Sequence, residues 1–115
     1  MSKRDLRLFL MDILEATEKI ERYTSSLSFE EFAKSEMVID AVVRNLEIIG
    51  EASKRLPEDV RSKYSDIPWK RVVGFRNIVI HGYFGVDLEI VWVIAKERLV
   101  ELKPKIERML EEMKG

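Results

Sequence analysis

The chain contains one histidine, His81, and it falls in a run that gathers four reactive side-chain types: Arg76-Asn77-Ile78-Val79-Ile80-His81-Gly82-Tyr83. An imidazole exchanges protons near neutral pH and is the usual choice for general acid or base work. A guanidinium is permanently charged and presents a planar fork that suits phosphate oxygens. Asn77 precedes His81 by four residues, one helical turn, so on a helix its amide shares a face with the ring and can fix which ring nitrogen is free. Arg76 lies about 140° round the same helix at ~100° per residue. Only its length, or a distortion at Gly82, brings the guanidinium to the imidazole. Gly82 leaves the backbone beside the ring uncovered, and Tyr83 adds a phenol at the same mouth.

Taken singly, these residues are uninformative. Lone histidines are mostly structural, helix arginines are mostly solvated, and a helix-end tyrosine packs readily on a neighbour such as Trp69 or Phe84. Other chemistries are easier to set aside. With one histidine, no cysteine and no HExxH pair there is no recognisable metal-ligand set. The serines, aspartates and histidine show no spacing that specifies a nucleophilic triad.

The rest of the chain reads as the scaffold for this run. At 115 residues it is expected to form a single domain spanning 1–115. A chain of this size can bury roughly two-thirds of its unfolded surface. The absence of cysteine excludes disulfides and fits a reducing cytoplasm. The longest apolar run, Ile90–Ala95, is too short for a membrane span, and the N-terminus leads into an amphipathic pattern carrying acids, unlike a signal peptide. A formal charge of −1 lacks the basic excess of a general nucleic-acid binder, so any phosphate contact must be local. Lys70, Arg71 and Arg76 are the candidates for that local charge.

Apolar spacing predicts a first amphipathic helix over about Arg4–Tyr23, carried by Leu6, Phe9, Leu10, Ile13, Leu14, Thr17 and Ile20. Ser28 caps a short helix, and Ser35 opens a long one to about Arg55 with Val38, Ile39, Val42, Leu46, Ile49 and Ala52 on its stripe. Glu47, Glu51 and Lys54 line one side of it and read as a solvated face, the alternative being a pairing with Arg76. Gly50 costs that helix about 1 kcal/mol relative to alanine, and close packing on another helix is the expected reason. Pro57 takes the first position of a short helix to about Tyr64. Asp66 or Ile67 caps the next, with Pro68 in its first turn, and Trp69 to about Ile80 carries the central run. Asp87 caps the last helix, which Pro104 is expected to kink. Long helices on short turns predict an all-α fold, an antiparallel four- to five-helix bundle. Leu88–Ala95 is apolar almost all round, so it must bury two faces, and a homodimer is expected.

The run Arg76–Tyr83 resembles the Arg-x4–6-His signature of HEPN-domain ribonucleases, and its Arg-x4-His-x-Tyr form is similar to that of the HepT toxins of HepT/MntA toxin–antitoxin pairs. Arg44-Asn45-Leu46-Glu47-Ile48-Ile49-Gly50-Glu51-Ala52, Ile67-Pro68-Trp69 and Val86-Asp87…Val91-Trp92 also look like landmarks of that family, so the likeness covers nearly the whole chain. The resemblance implies a HEPN-like helical bundle that cleaves RNA without a metal or cofactor, with the motifs of two subunits meeting in a dimer cleft. RNA carries its own nucleophile, the 2′-OH, so cleavage needs an acid, a base and a charge stabiliser. Two chains would supply two histidines as acid and base and two arginines for the phosphorane oxygens. On this reading Arg76 and His81 are catalytic, Asn77 and Gly82 support them, and Lys70 and Arg71 contact RNA, a transfer or messenger RNA. The resemblance further implies a minimal nucleotidyltransferase antitoxin, MntA-like, that silences the enzyme by transferring AMP to Tyr83. A competing reading is a non-catalytic helical module that docks beside such a nucleotidyltransferase.

Overall fold

Short polar residues open four of the helices. The computed structural model describes residues 1–80 and 87–113, with side chains described except those of 78–80. α1 (Lys3–Thr24) starts at Ser2, whose hydroxyl accepts from the Asp5 backbone N–H at 3.1 Å while the Asp5 carboxylate accepts from the Ser2 N–H. α2 (Phe29–Lys34) repeats this reciprocal cap with Ser28 and Glu31. Ser35 caps α3 (Glu36–Arg55), and Asp87 caps α6 (Leu88–Val93) by accepting from the Glu89 N–H. Each such cap satisfies backbone donors that a helix start leaves orphaned.

The expected boundaries hold within a residue or two, and two proline assignments shift by one position. Pro57 stands just before α4 (Glu58–Lys63) as its cap. Pro68 is itself the cap of α5 (Trp69–Ile80), because its carbonyl accepts from the Val72 N–H. A proline there loses nothing, since its missing N–H would have had no partner. Pro104 does lie inside α7 (Leu99–Glu112), but the irregularity that the structure shows in this last helix is upstream of it. Ile94–Arg98 form a π turn in which the Leu99 N–H donates to the Ile94 carbonyl. Nothing in the apolar spacing marks that turn.

The helices pack as a bundle with α3 in its midst. One side of α3 lies along α1 and the other along α5, while α1 also packs on the π turn and α7. Leu10, Ile13 and Ile20 of α1 meet Val42, Leu46 and Ile49 of α3 in a core that excludes solvent from all six side chains. α7 closes it with Leu102, Ile106 and Met109. Among the described residues there is no strand, and the all-α bundle is as expected. At the other end of the core, Phe32 of α2 lies against Trp92 of α6, ring centroids 5.1 Å apart. Lys96 in the π turn sits 4.9 Å over the Trp92 ring and donates to the Thr24 carbonyl at 2.9 Å, tying the last helix to the end of α1.

The connection into α5 is held from two sides. The Trp69 indole N–H donates to the carbonyls of Arg61 and Tyr64 at 3.0 and 3.1 Å, fastening α5 to α4. Asp66 is clasped from α7: Lys105 donates to its carbonyl at 2.9 Å and Arg108 meets its carboxylate at 3.2 Å. The buried Tyr64 donates its hydroxyl to the Glu112 carboxylate. That hydrogen bond raises the phenol above its ordinary value of 10.0; burial and the Glu112 charge add to it, and Arg108 opposes.

A group whose pKa is higher folded than unfolded contributes stability below the unfolded value and loses it as pH rises through the folded one. Tyr64→Phe is therefore expected to cost about 1.5 kcal/mol near neutral pH, the low end for a hydrogen bond to a charged group. The deficit should shrink above pH 10.0 as the wild-type phenol ionises. Urea unfolding of both proteins across that range measures it, and a pH-independent gap would refute it.

Candidate active site

The motif helix, α5, is set by its cap and indole anchor at one end and by its seat on α3 along its length. Gly50 makes that seat possible. A Cβ on Gly50 would stand 2.8 Å from the Arg76 Cβ, 2.9 Å from the Arg76 nitrogen and 3.0 Å from the Val73 carbonyl oxygen. Two of those three atoms are backbone, so α3 and α5 touch here without any intervening side chain. The expectation that Gly50 serves close helix packing is borne out, and the helix it meets is the one bearing the motif.

The same contact brings Arg76 to Glu51. The guanidinium Nε approaches the Glu51 carboxylate oxygen at 2.5 Å, with the Arg76 side chain 31% and the Glu51 side chain 42% exposed. The carboxylate lies off the N–H direction: Nε is buried and lacks an aligned hydrogen-bond acceptor, so the contact is an ion pair. This corrects the reading of Glu47, Glu51 and Lys54 as one solvated face. Glu47 does stay on the α3 surface, 3.6 Å from Arg44. Glu51 turns to the motif helix, because Gly50 draws α5 close enough for it to reach.

The other expected site residues divide between those placed and those outside the described residues. Asn77 is exposed on the last turns of α5, and Lys70 and Arg71 are exposed on its first. Arg71 borders a cleft of about 380 Å³ between α5 and the last helix, with Phe75 and Leu102 among its apolar lining and Arg98 and Lys105 among its cations. His81, Gly82 and Tyr83 lie outside the described residues, as does Phe84. The structure therefore places Arg76, Asn77, Lys70 and Arg71 on one helix and adds Gly50 and Glu51 from its neighbour. Sequence reasoning weighed Glu51 and set it aside. The signal that would have found it was the glycine directly before it, which costs a long helix stability unless something passes close by.

Among the described residues, no three His, Cys, Asp or Glu side chains converge so as to hold a metal ion. Among the same residues, no helix is long and apolar enough to cross a membrane. What the described part of the site offers is a half-buried guanidinium, held by a carboxylate on a rigid helix pair, beside an exposed amide and two exposed cations.

Comparison with known proteins gives the chain a family. The family model described as "Ribonuclease HepT-like" matches residues 13–109. A protein of Methanocaldococcus jannaschii named "Putative RNase MJ1380" is 46% identical over 107 residues, 93% of this chain and 98% of the relative. A second from that organism, "Putative RNase MJ1216", is 44% identical over 115 residues, 100% of this chain and 95% of its own. The "Probable ribonuclease HepT" of Thermococcus cleftensis is 43% identical over 107 residues, 93% of this chain and 97% of its own. No solved structure matches the chain. With a family model covering most of its length and relatives alike from end to end, the chain belongs to the HepT-like family of HEPN ribonucleases.

Proposed function

We propose that this protein is an endoribonuclease toxin that cleaves RNA without a metal, through Arg76 and His81 in a cleft shared by two copies of the chain. The observation that carries the reading is the setting of Arg76. It is the motif arginine of a HepT-like chain, held by Glu51 in a half-buried position where a guanidinium can meet a phosphate. In the reaction, one His81 takes the proton of the 2′-OH as it attacks the adjacent phosphorus. The second His81 protonates the departing 5′-oxygen. Arg76 donates hydrogen bonds to the non-bridging oxygens, whose charge grows in the transition state. Asn77 orients the imidazole, Gly82 keeps the approach to it open, and Lys70 and Arg71 draw the RNA backbone along α5.

A second copy of the chain answers a feature of α6. Ile90 and Val93 are 51% and 37% exposed on its outer side, while Val91 of the same helix is fully buried. An apolar helix face left to solvent in one copy is suited to burial against another. The partner that silences the enzyme is a minimal nucleotidyltransferase, and Tyr83 is the residue it modifies. An added AMP beside His81 would place negative charge and bulk in the RNA path. RNA, transfer or messenger, is the substrate class.

The test is cleavage of total cellular RNA by the purified protein, free of added AMP by mass, in excess EDTA and with Arg76→Ala alongside. Cleavage that survives chelation and drops on the order of a hundredfold in the variant is the expected result, the usual scale for losing one transition-state hydrogen-bond donor. No cleavage by the unmodified protein would favour a docking module for the nucleotidyltransferase instead. Tyr83→Phe should cleave RNA as well as wild type yet resist silencing by the partner and ATP. Undiminished silencing of that variant would refute the assignment of Tyr83.

A further inference from the structure

We infer that Glu51 is a positioning residue for Arg76, so that the working arrangement extends from the motif helix onto α3. The inference rests on the ribonuclease reading for its effect on cleavage, but the contact itself is independent of that reading.

A guanidinium on a three-carbon stem samples many rotamers, and one that must meet a phosphate at a fixed place gains from being held beforehand. Three observations show how this chain holds it. The backbone of Arg76 is pressed against α3 at Gly50, with the prospective Cβ distances of 2.8 and 2.9 Å leaving no room for α5 to slide inward. Glu51 then takes the guanidinium by its Nε edge at 2.5 Å. Among the described residues no other carboxylate pairs with Arg76, so its two outer nitrogens are the ones that remain to serve a phosphate.

The charge of Glu51 also acts on the phosphate. A carboxylate near an RNA phosphate repels it. If Glu51 acts through Arg76, holding the guanidinium outweighs that repulsion. Gln at position 51 keeps the size and removes the charge, so it loses the hold and the repulsion together. Asp keeps the charge on a stem one carbon shorter. Arg76→Ala removes the group through which Glu51 is inferred to act.

Two measurements together decide it. In cleavage of a defined RNA, Glu51→Gln should lower kcat/KM about tenfold, Glu51→Asp should recover part of the loss, and Glu51→Gln should do nothing further in an Arg76→Ala background. An equal loss in both backgrounds would show a structural role and overturn the inference, as would faster cleavage by Glu51→Gln. The second readout does not depend on cleavage. In ¹⁵N NMR of the whole chain, the Arg76 Nε signal, identified by its loss in Arg76→Lys, should shift when the neighbouring carboxylate charge is removed in Glu51→Gln. A signal left in place by the substitution would overturn the inference. A Glu51-dependent signal in a protein that cleaves no RNA would leave the contact standing and refute the ribonuclease reading alone.

Discussion

Replacing His81 by alanine is expected to lower RNA cleavage by at least a hundredfold while leaving the helical fold in place. General acid–base groups contribute typically ~10²–10⁴ to rate, and the chain has no second imidazole to substitute for the first. Among the described residues, the core is carried by apolar side chains of α1, α3 and α7 remote in sequence from position 81. The shared-cleft arrangement sharpens the expectation. If one reaction uses a histidine from each copy, a mixed dimer of wild-type and His81→Ala chains should lose most of its activity rather than half. Retention of half the activity by the mixed species, separated by differently tagged chains, would refute the sharing of the cleft. Full activity in the all-alanine protein would remove His81 from the mechanism.

Gly50→Val should damage both the fold and cleavage. Even the first carbon of a new side chain would meet the Arg76 Cβ at 2.8 Å and its backbone nitrogen at 2.9 Å, distances at which the helices must move apart. Overpacking of this kind costs about 1–3 kcal/mol, and a branched side chain wedged against backbone belongs at the upper end. The helix-propensity gain of losing a glycine returns only part of that, under about 1 kcal/mol. Moving α5 off α3 also takes Arg76 out of reach of Glu51, so cleavage should fall further than the loss of folded protein explains. Denaturant unfolding gives the first quantity, and kcat on the folded fraction gives the second. A variant as stable as wild type would show that the seat of α5 on α3 is not tight. Gly74 is the internal control: a Cβ there would meet nothing within 4 Å, so Gly74→Ala should not be destabilising.

How much was legible without coordinates depended on how local the cause was. Three helix starts were legible because Ser28, Ser35 and Asp87 act on backbone groups two or three residues away. The buried stripes of α1, α3 and α7 were legible because one apolar face per helix must leave water, and its 3.6-residue period is written in the order of residues. The motif was legible as a set of residue types at fixed spacing. The π turn at Ile94–Arg98, which packs on α1, was not, since it leaves no mark in the hydrophobic pattern.

Glu51 shows where that legibility ends. In the order of residues it is one of three charged positions along a helix, and Glu47 four residues earlier reads the same way. The difference between them is made by another helix: α5 lies against Gly50, which puts Arg76 beside Glu51 and leaves Glu47 to Arg44. The chain's residue order therefore settles the helices and their inward faces, because propensity, capping and periodicity are short-range. Which carboxylate holds the motif arginine is settled only when packing brings together two residues twenty-five apart in sequence, Glu51 and Arg76, because an ion pair depends on distance in space and not on spacing along the chain.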